Sequence, residues 1–213
     1  MDWKIEIGIH AHHLDGWPKT EFSKNLPNLP SISYPSPMSP YLFTTPRLGF
    51  RRWQASDLDA FTAINTDTEV MRFFQRPLLK EDTQAMMERM ERLYEEKGFC
   101  YFAVDDLKSQ TLIGTIGLGW KTFEADFTPT VDIGYRIGKT WWNQGFSTEG
   151  AAACLDYARQ LQIPKVVAMA SVGNLASIQV MKKIGMEYWK DFDHPELQDS
   201  PHIQHCSLYQ ISL

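Results

Sequence analysis

The chain has 213 residues, of which 43% are apolar and 22% are charged, a composition typical of one globular domain with its own core. Its formal net charge of −5 argues against general binding to DNA or RNA, which needs a basic surface. No apolar run reaches the roughly 20 residues of a membrane-spanning helix, and the three cysteines include no CxxC pair. We therefore expect a cytoplasmic protein with reduced thiols, no nucleic-acid partner and no membrane association.

The first 40 residues differ in composition from the rest of the chain. Five prolines fall between positions 27 and 40. Because proline fixes φ and lacks a backbone donor, this stretch is unsuited to a central strand or a long helix. We expect residues 1–40 to form a Pro-rich extension that is extended or poorly ordered, and residues 41–213 to form the folded domain.

The predicted domain begins with a strand and two helices. In the strand, Leu48, Phe50 and Arg52 share one face by alternation. Ser56 is typical of a helix N-cap before "DLDAFTAIN". A second helix is predicted over "KEDTQAMMERMERLYEEK", ending at Gly98. Its side chains on adjoining turns are Met86, Met90, Leu93 and Lys97.

Six further strands and two further helices are predicted after Gly98. Three strands come first, in "FCYFAVDD", "TLIGTIGLGW" and "TPTVDIGYRIG", which are rich in β-branched and aromatic residues. After a helix near residue 146, "KVVAMAS" predicts a strand and "NLASIQVMKKIG" a helix with Asn174 as N-cap and Gly185 as C-cap. "MEYWKDF" and "HCSLYQISL" predict the last two strands. The order β, α, α, β, β, β, α, β, α, β, β indicates an α/β (α+β) domain.

The turn at Gly145 is the segment that bears most directly on function. A helix that starts near Phe146 or Ser147 presents unpaired N–H groups and a partial positive charge at its first turn. A glycine lets a ligand approach that backbone closely, so an anion such as a pyrophosphate fits there, with Ser147 and Thr148 as hydroxyl donors. A glycine before a helix is most often only a turn, and neither GxxxxGK[ST] nor GxGxxG occurs. The predicted buried face of the helix comprises Ala151, Cys154, Leu155, Ala158 and Leu161.

Four segments together resemble a known family: "TPRLGFRRWQASD", "VDIGYRIGKTWWNQGFSTEG", "NLASIQVMKKIGM" and "HPELQDSPHIQHCSLYQI". They are similar to the GNAT superfamily of acyl-CoA-dependent N-acetyltransferases, in particular its RimJ/RimL-like (ribosomal-protein N-acetyltransferase-like) branch, over about residues 43–213. The resemblance implies a mixed, mostly antiparallel sheet of six to seven strands with splayed strands flanked by helices. It also implies acetyl-CoA as cosubstrate. We expect no metal, because His202, His205 and Cys206 have ligand-like spacing but run into a strand without a clear fourth ligand.

The same resemblance implies the cofactor-binding residues. The family's pyrophosphate motif falls on residues 142–147, and Trp142 stands where the general motif has glutamine or arginine, as it often does in this branch. Backbone groups of the splayed strand are expected to pair with the pantetheine arm, which Asn174 also contacts. The predicted cofactor-binding residues are Tyr135, Arg136, Ile137, Trp142, Gln144, Gly145, Phe146, Ser147, Thr148 and Asn174.

For catalysis, the resemblance implies direct attack by a primary amine in a ternary complex. Many family members use a tyrosine as the acid for the leaving thiolate, but Met181 occupies that position, so Ser177 or water is the expected acid. Asp132 is the candidate base, with a salt-bridged structural carboxylate as the alternative. The acceptor is a protein N-terminal α-amine or a small-molecule amine. The alternative function is a non-catalytic acyl-CoA-binding module, and a homodimer is one assembly compatible with either function.

Overall fold

The computed structural model describes residues 32–36 and 39–213, in which helices flank an eight-stranded sheet. The strands are β1 (Phe43–Thr44), β2 (Leu48–Arg51), β3 (Tyr101–Asp106), β4 (Thr111–Lys121), β5 (Thr130–Ile137), β6 (Lys165–Ser171), β7 (Glu187–Asp193) and β8 (His205–Ser212). The helices are α1 (Leu58–Thr66), α2 (Lys80–Lys97), α3 (Phe146–Gln160), α4 (Leu175–Lys183) and the short α5 (Pro201–Gln204). The predicted order of elements is confirmed, and the short β1 and α5 are additions to it.

The sheet has the order β1-β2-β3-β4-β5-β6-β8-β7, and every neighbouring pair is antiparallel except β5 and β6. The parallel pair meets at a single register position, Asp132 opposite Val167. Beyond it the two strands separate, so a gap opens at their carboxyl ends. The predicted mixed sheet with splayed strands is therefore confirmed. It has eight strands rather than six or seven, and the two residues of β1 extend its edge beside β2.

The two faces of the sheet carry different helices. A Cβ atom at Gly150 of α3 would overlap Ile116 of β4, so α3 packs closely on that face. Ile116 lies opposite Tyr135 in the register, and successive strand residues point to opposite faces. Tyr135 therefore lies on the α3 face. Arg136 lies on the other face, where its side chain contacts Asn65 of α1.

The start of α1 differs from the prediction. Ser56 is not the N-cap, because it lies inside a 3₁₀ turn, Ala55–Asp57, and α1 begins only at Leu58. The carboxylate of Asp57 accepts a hydrogen bond from the Gln54 N–H at 2.8 Å and two from the Arg51 guanidinium. These contacts tighten the chain before the helix. Asp57 occupies the N-cap position of α1, but its side chain caps no N–H group of the helix.

Three other local predictions were wrong in detail. The first strand is buried along its whole length and ends at Arg51, while Arg52 lies outside it and pairs with glutamates of α2. Leu161 is the half-buried C-cap of α3, whereas the other four predicted residues of that face are fully buried. Helix α4 has Ile184 as its C-cap, and Gly185 follows it with φ of +85°. On α2, Met90 is buried and Met86 is half-buried.

The cysteines and the helices can be compared with the expectations of reduced thiols and of no membrane-spanning segment. Cys100, Cys154 and Cys206 are buried free thiols, as predicted, and burial raises the pKa of Cys206 to about 11. Among the described residues, no helix is both long and apolar enough to cross a bilayer.

Candidate active site

The gap between β5 and β6 widens into a cleft with a volume of about 1220 Å³. Its lining includes the split strands, the first turn of α3, helix α4 and the loop between α1 and α2, together with parts of β3, β4 and the segment between β7 and β8. Because β5 and β6 are parallel, the chain leaves both strands at the same end of the split, toward α3 and α4 respectively. The N-termini of both helices thus meet at the carboxyl ends of the strands, which is where open α/β sheets bind ligands.

The tip of α3 presents unpartnered backbone donors. The helix begins at Phe146, as predicted, and Gly145 precedes it with φ of +81° and no side-chain cap. The first helical hydrogen bond runs from the Glu149 N–H to the Gly145 carbonyl at 3.0 Å. Within the described residues, the N–H groups of Phe146, Ser147 and Thr148 have no hydrogen-bond partner in the protein. Together with the helix dipole, they form a cradle suited to an anion.

Arg47 holds the loop before α3 in place. Its Nε pairs with Glu149 at 2.6 Å, and its Nη1 donates to the Gln144 carbonyl at 2.9 Å. Its guanidinium also lies 4.3 Å from the centre of the Phe146 ring. Sequence reasoning missed Arg47 because its partner Glu149 is 102 residues away, and no local pattern links them.

The side chain of Trp142 has a bracing role that the sequence left open. Its indole N–H donates to the Ile137 carbonyl at 2.8 Å, which ties the loop to the end of β5. Gln144 likewise donates to the Thr140 carbonyl at 2.9 Å. The Arg72 guanidinium lies 5.6 Å from the centre of the Trp142 ring and lines the cleft, without an acidic partner among the described residues. Arg72 belongs to the α1–α2 loop, and no motif singled it out.

Two hydroxyl groups meet at the start of α4. Asn174 is the N-cap, as predicted, and its Oδ1 accepts a hydrogen bond from the Ser177 N–H at 3.2 Å. The Tyr135 hydroxyl donates to the Ser177 carbonyl at 2.8 Å and lies 2.9 Å from the Ser177 Oγ. Burial raises the pKa of Tyr135 to about 12, so the phenol keeps its proton at neutral pH. Tyr135 thus spans the split between β5 and α4.

On the other face of the sheet, Asp132 is buried and partnered. Both of its carboxylate oxygens lie 2.7 Å from the Tyr101 hydroxyl, and the Lys121 Nζ lies 3.6 Å away. A Cβ atom at Gly119 would overlap both Asp132 and Tyr101, so the missing side chain makes room for their contact. Burial raises the pKa of Tyr101, which keeps the phenol neutral. All three side chains line the cleft, and the carboxylate is salt-bridged there rather than on the outer surface.

The structure thus brings the predicted site residues, except Gln144, to one cleft, but on two sides of the sheet. Asp132 and Arg136 lie on the side of α1 and α2. Tyr135, the tip of α3, Asn174 and Ser177 lie on the opposite side. The predicted strand segment 135–137 therefore contributes its side chains to both sides, which its sequence alone did not resolve.

Comparisons with known proteins agree with this architecture. The family model for the acetyltransferase (GNAT) domain matches residues 47–187. The uncharacterized N-acetyltransferase YnaD of Bacillus subtilis is 30% identical over 145 residues, which cover 67% of this chain and 81% of YnaD.

Two solved structures with the same fold carry a coenzyme. YncA of Salmonella typhimurium, solved with acetyl-CoA, superposes with a TM-score of 0.61 at 16% identity, over 78% of this chain and 94% of that one. RimL, a ribosomal L7/L12 alpha-N-protein acetyltransferase in complex with coenzyme A, superposes with a TM-score of 0.65 at 17% identity, over 79% and 96%. On the match over residues 47–187, this chain belongs to the GNAT family of acetyltransferases.

Proposed function

We propose that this protein is an acetyl-CoA-dependent N-acetyltransferase that transfers an acetyl group to a primary amine. The observation that carries the proposal is the coincidence of an unpartnered helix tip with a split in the sheet. The tip offers backbone donors to a diphosphate. The split in the sheet can hold an extended chain such as the pantetheine arm, which is joined to the diphosphate in coenzyme A. A coenzyme A thioester has both parts in that order.

In this proposal, the N–H groups of residues 146–148 bind the pyrophosphate, and the Ser147 and Thr148 hydroxyls add donors. Arg72 supplies a cation at the same end of the cleft. The arm lies along β5, where an extended amide chain can satisfy free strand groups. The ladder with β4 occupies the backbone groups of Arg136, and the Ile137 carbonyl already accepts from Trp142. The Tyr135 backbone and the Ile137 N–H are therefore the groups that would pair with the arm.

The acceptor approaches from the side of Asp132. The attacking amine forms a bond to the acetyl carbonyl carbon, the carbon–sulfur bond breaks, and the amine gives up one proton. Asp132 takes that proton, directly or through water, and Tyr101 and Lys121 hold the carboxylate in position. Holding amine and thioester together supplies much of the acceleration.

The leaving thiolate is proposed to meet the hydroxyl pair of Tyr135 and Ser177. When the Tyr135 hydroxyl donates to the Ser177 carbonyl, the Tyr135 hydroxyl oxygen is free to accept a hydrogen bond from the Ser177 hydroxyl. Hydrogen bonds from the pair to the sulfur stabilise the thiolate. A proton that passes through the pair to the sulfur is replaced from water, and Asp132 returns to water the proton that it took from the amine. The pair thus takes the place of the tyrosine that Met181 replaces.

The acceptor must present a neutral amine. An α-amino group has a pKa of about 7.7–8.0 and is partly neutral at cellular pH, whereas a lysine with a pKa of about 10.4 is almost fully charged. An N-terminal or other weakly basic amine therefore needs less help from the site. RimL, which shares the fold, is named for such an acceptor, and this supports a protein N-terminus as the acceptor.

The test is release of free thiol from acetyl-CoA over a panel of amines and N-terminal peptides. We expect turnover with at least one weakly basic amine. Asp132→Asn should lower kcat by roughly 100-fold or more, as loss of a general base does, with the Kd of coenzyme A within about twofold of wild type by calorimetry. Tight binding of coenzyme A without turnover on any amine would identify a non-catalytic acyl-CoA-binding module. An Asp132→Asn variant of normal kcat would limit that residue to a structural role.

A further inference from the structure

Arg136 places a positive charge in the cleft without a carboxylate to balance it. Its Nη1 donates to the Asn65 Oδ1 at 2.6 Å, and its guanidinium lies 4.1 Å from the centre of the Phe74 ring. Its Nε is enclosed and has no hydrogen-bond partner. No acidic group among the described residues lies within 4.0 Å of it. Desolvation lowers the pKa of Arg136 to about 10, as expected for an uncompensated cation.

Arg136 is half-buried, and its arrangement differs from that of Arg51, the buried arginine of β2. Arg51 is held by two carboxylates, Asp57 and Asp105, at 2.7 Å each. Arg51 therefore forms a closed ion cluster that stabilises the fold. Taking a cation partly out of water without such partners costs free energy, so Arg136 is better explained by a ligand that brings the missing anion.

The position of Arg136 indicates which ligand that is. Asp132 and Arg136 are four residues apart on one strand, so their side chains share a face and their Cα atoms are about 13 Å apart. Gly134 lies between them, and a Cβ atom there would be 3.0 Å from the Tyr101 ring. The Tyr101 ring therefore covers this part of the strand and forms the cleft surface between the two charged groups. The N–H donors at the tip of α3 belong to the opposite side of the sheet, so the phosphates of coenzyme A are not the natural partner.

We propose that Arg136 binds a carboxylate of the acceptor, so that the enzyme acetylates amines that carry a nearby carboxylate. The acceptor amine then lies toward Asp132 and its carboxylate toward Asn65 and Phe74, where the guanidinium can pair with it bidentately. Polyamines and other acceptors without an anionic group lack this contact. The proposal rests on the N-acetyltransferase function and specifies its substrate class.

The carboxylate has two sources that the experiment separates. Free amino acids are compared with their carboxamides, which tests an α-carboxylate. Peptides with aspartate at the second or third position are compared with the asparagine peptides, which tests a side-chain carboxylate at a protein N-terminus. Within each pair the amine stays in place and only the charge of the acid changes.

In one of the two comparisons, wild type should prefer the acceptors with the carboxylate over the matched amides by roughly 10- to 100-fold in kcat/KM. This is the range of a charge-assisted pair. Arg136→Met should abolish that preference while kcat/KM for the amides and the Kd of coenzyme A stay within about threefold. Arg136→Lys should retain part of the preference. Lys108→Met, which removes an exposed charge from the β3–β4 turn, is the control and should change neither. Thermal unfolding checks that Arg136→Met is folded.

Calorimetric binding of the same acceptors to the enzyme with coenzyme A gives a readout without turnover. Equal turnover and equal binding of acids and amides by wild type would overturn the carboxylate proposal and leave the acetyltransferase intact. Loss of coenzyme A binding in Arg136→Met would assign the guanidinium to the cosubstrate instead. Carboxylate binding that depends on Arg136 but leads to no thiol release would support this site and refute the proposed activity.

Discussion

Tyr135 and Ser177 form one polar unit although 42 residues separate them in the chain. The tyrosine comes from the splayed strand and the serine from the first turn of α4, so their contact bridges the two sides of the split. A buried hydroxyl pair of this kind is costly to leave half-satisfied. Its position, rather than either residue alone, is what makes it a candidate donor to the sulfur.

If the pair acts as a unit, Tyr135→Phe and Ser177→Ala should each lower kcat by roughly 10- to 100-fold, since each removes one hydroxyl from the same relay. The double variant should then be little worse than either single variant, because coupled residues are not additive. Steady-state kinetics with saturating acetyl-CoA measures this. Losses that multiply in the double variant would mean that the two hydroxyls act independently, and an unchanged kcat would exclude both from the leaving-group step.

At the scale of elements, Gly145 determines both the backbone conformation before α3 and the access of a ligand to the helix tip. Gly145 has φ of +81°, a conformation that costs other residues about 1–2 kcal/mol. A Cβ atom there would meet only the Arg47 Nη2, at 3.5 Å. Gly145→Ala therefore tests backbone strain with little steric conflict, and Gly145→Glu adds bulk and a negative charge at the proposed phosphate site.

We expect Gly145→Glu to weaken binding of coenzyme A by at least 100-fold and Gly145→Ala by less than about tenfold. Pantetheine, which lacks the phosphates, should bind both variants and wild type with similar, weak affinity. Isothermal titration calorimetry gives the six Kd values, for two ligands and three proteins. An affinity of Gly145→Glu for coenzyme A equal to that of Gly145→Ala would move the diphosphate away from the tip of α3.

The elements also show where sequence reasoning succeeds and where it stops. Periodicity and capping residues predicted α3, α4 and the strands, because these signals lie within a few residues of each other. The sequence did not predict the 3₁₀ turn at Ser56, because Arg51 holds Asp57 of that turn and also pairs with Asp105 on another strand. Sequence reasoning also missed the Arg47–Glu149 pair and the lack of a carboxylate beside Arg136 among the described residues, for the same reason. Each depends on which distant residues meet in the fold.

For the whole molecule, the net charge does not predict the electrostatic potential in the cleft. The chain carries −5 overall, yet cations outnumber acids around the cleft. The cations are Arg72, Arg76, Lys121, Arg136 and Lys183, and the acids are Glu69, Asp132 and Glu196. This surplus suits a phosphate-bearing cosubstrate, and it suits an acceptor that itself brings an anion. A wholly cationic acceptor would meet repulsion in such a cleft.

The predicted boundary at residue 40 can be tested by two truncations. Residues 1–31 lie outside the described part of the chain. Ser33 exchanges two backbone hydrogen bonds of 2.9 Å with Thr44 of β1, and Ile32 packs against the core. Removing residues 1–40 should therefore leave a folded protein that binds coenzyme A but is about 2 kcal/mol less stable, from two lost hydrogen bonds and one partly buried side chain.

For a chain of this size, that loss corresponds to a Tm about 4–8 °C lower. Removing only residues 1–31 should lower the Tm much less, because the bridge to β1 is kept. Differential scanning calorimetry of the two truncations beside the full chain measures the difference. Equal Tm values for both truncations would show that residues 32–36 add nothing to the stability of the sheet edge. A deletion of residues 1–40 that no longer folds would instead make them part of the domain and move its boundary toward the N-terminus.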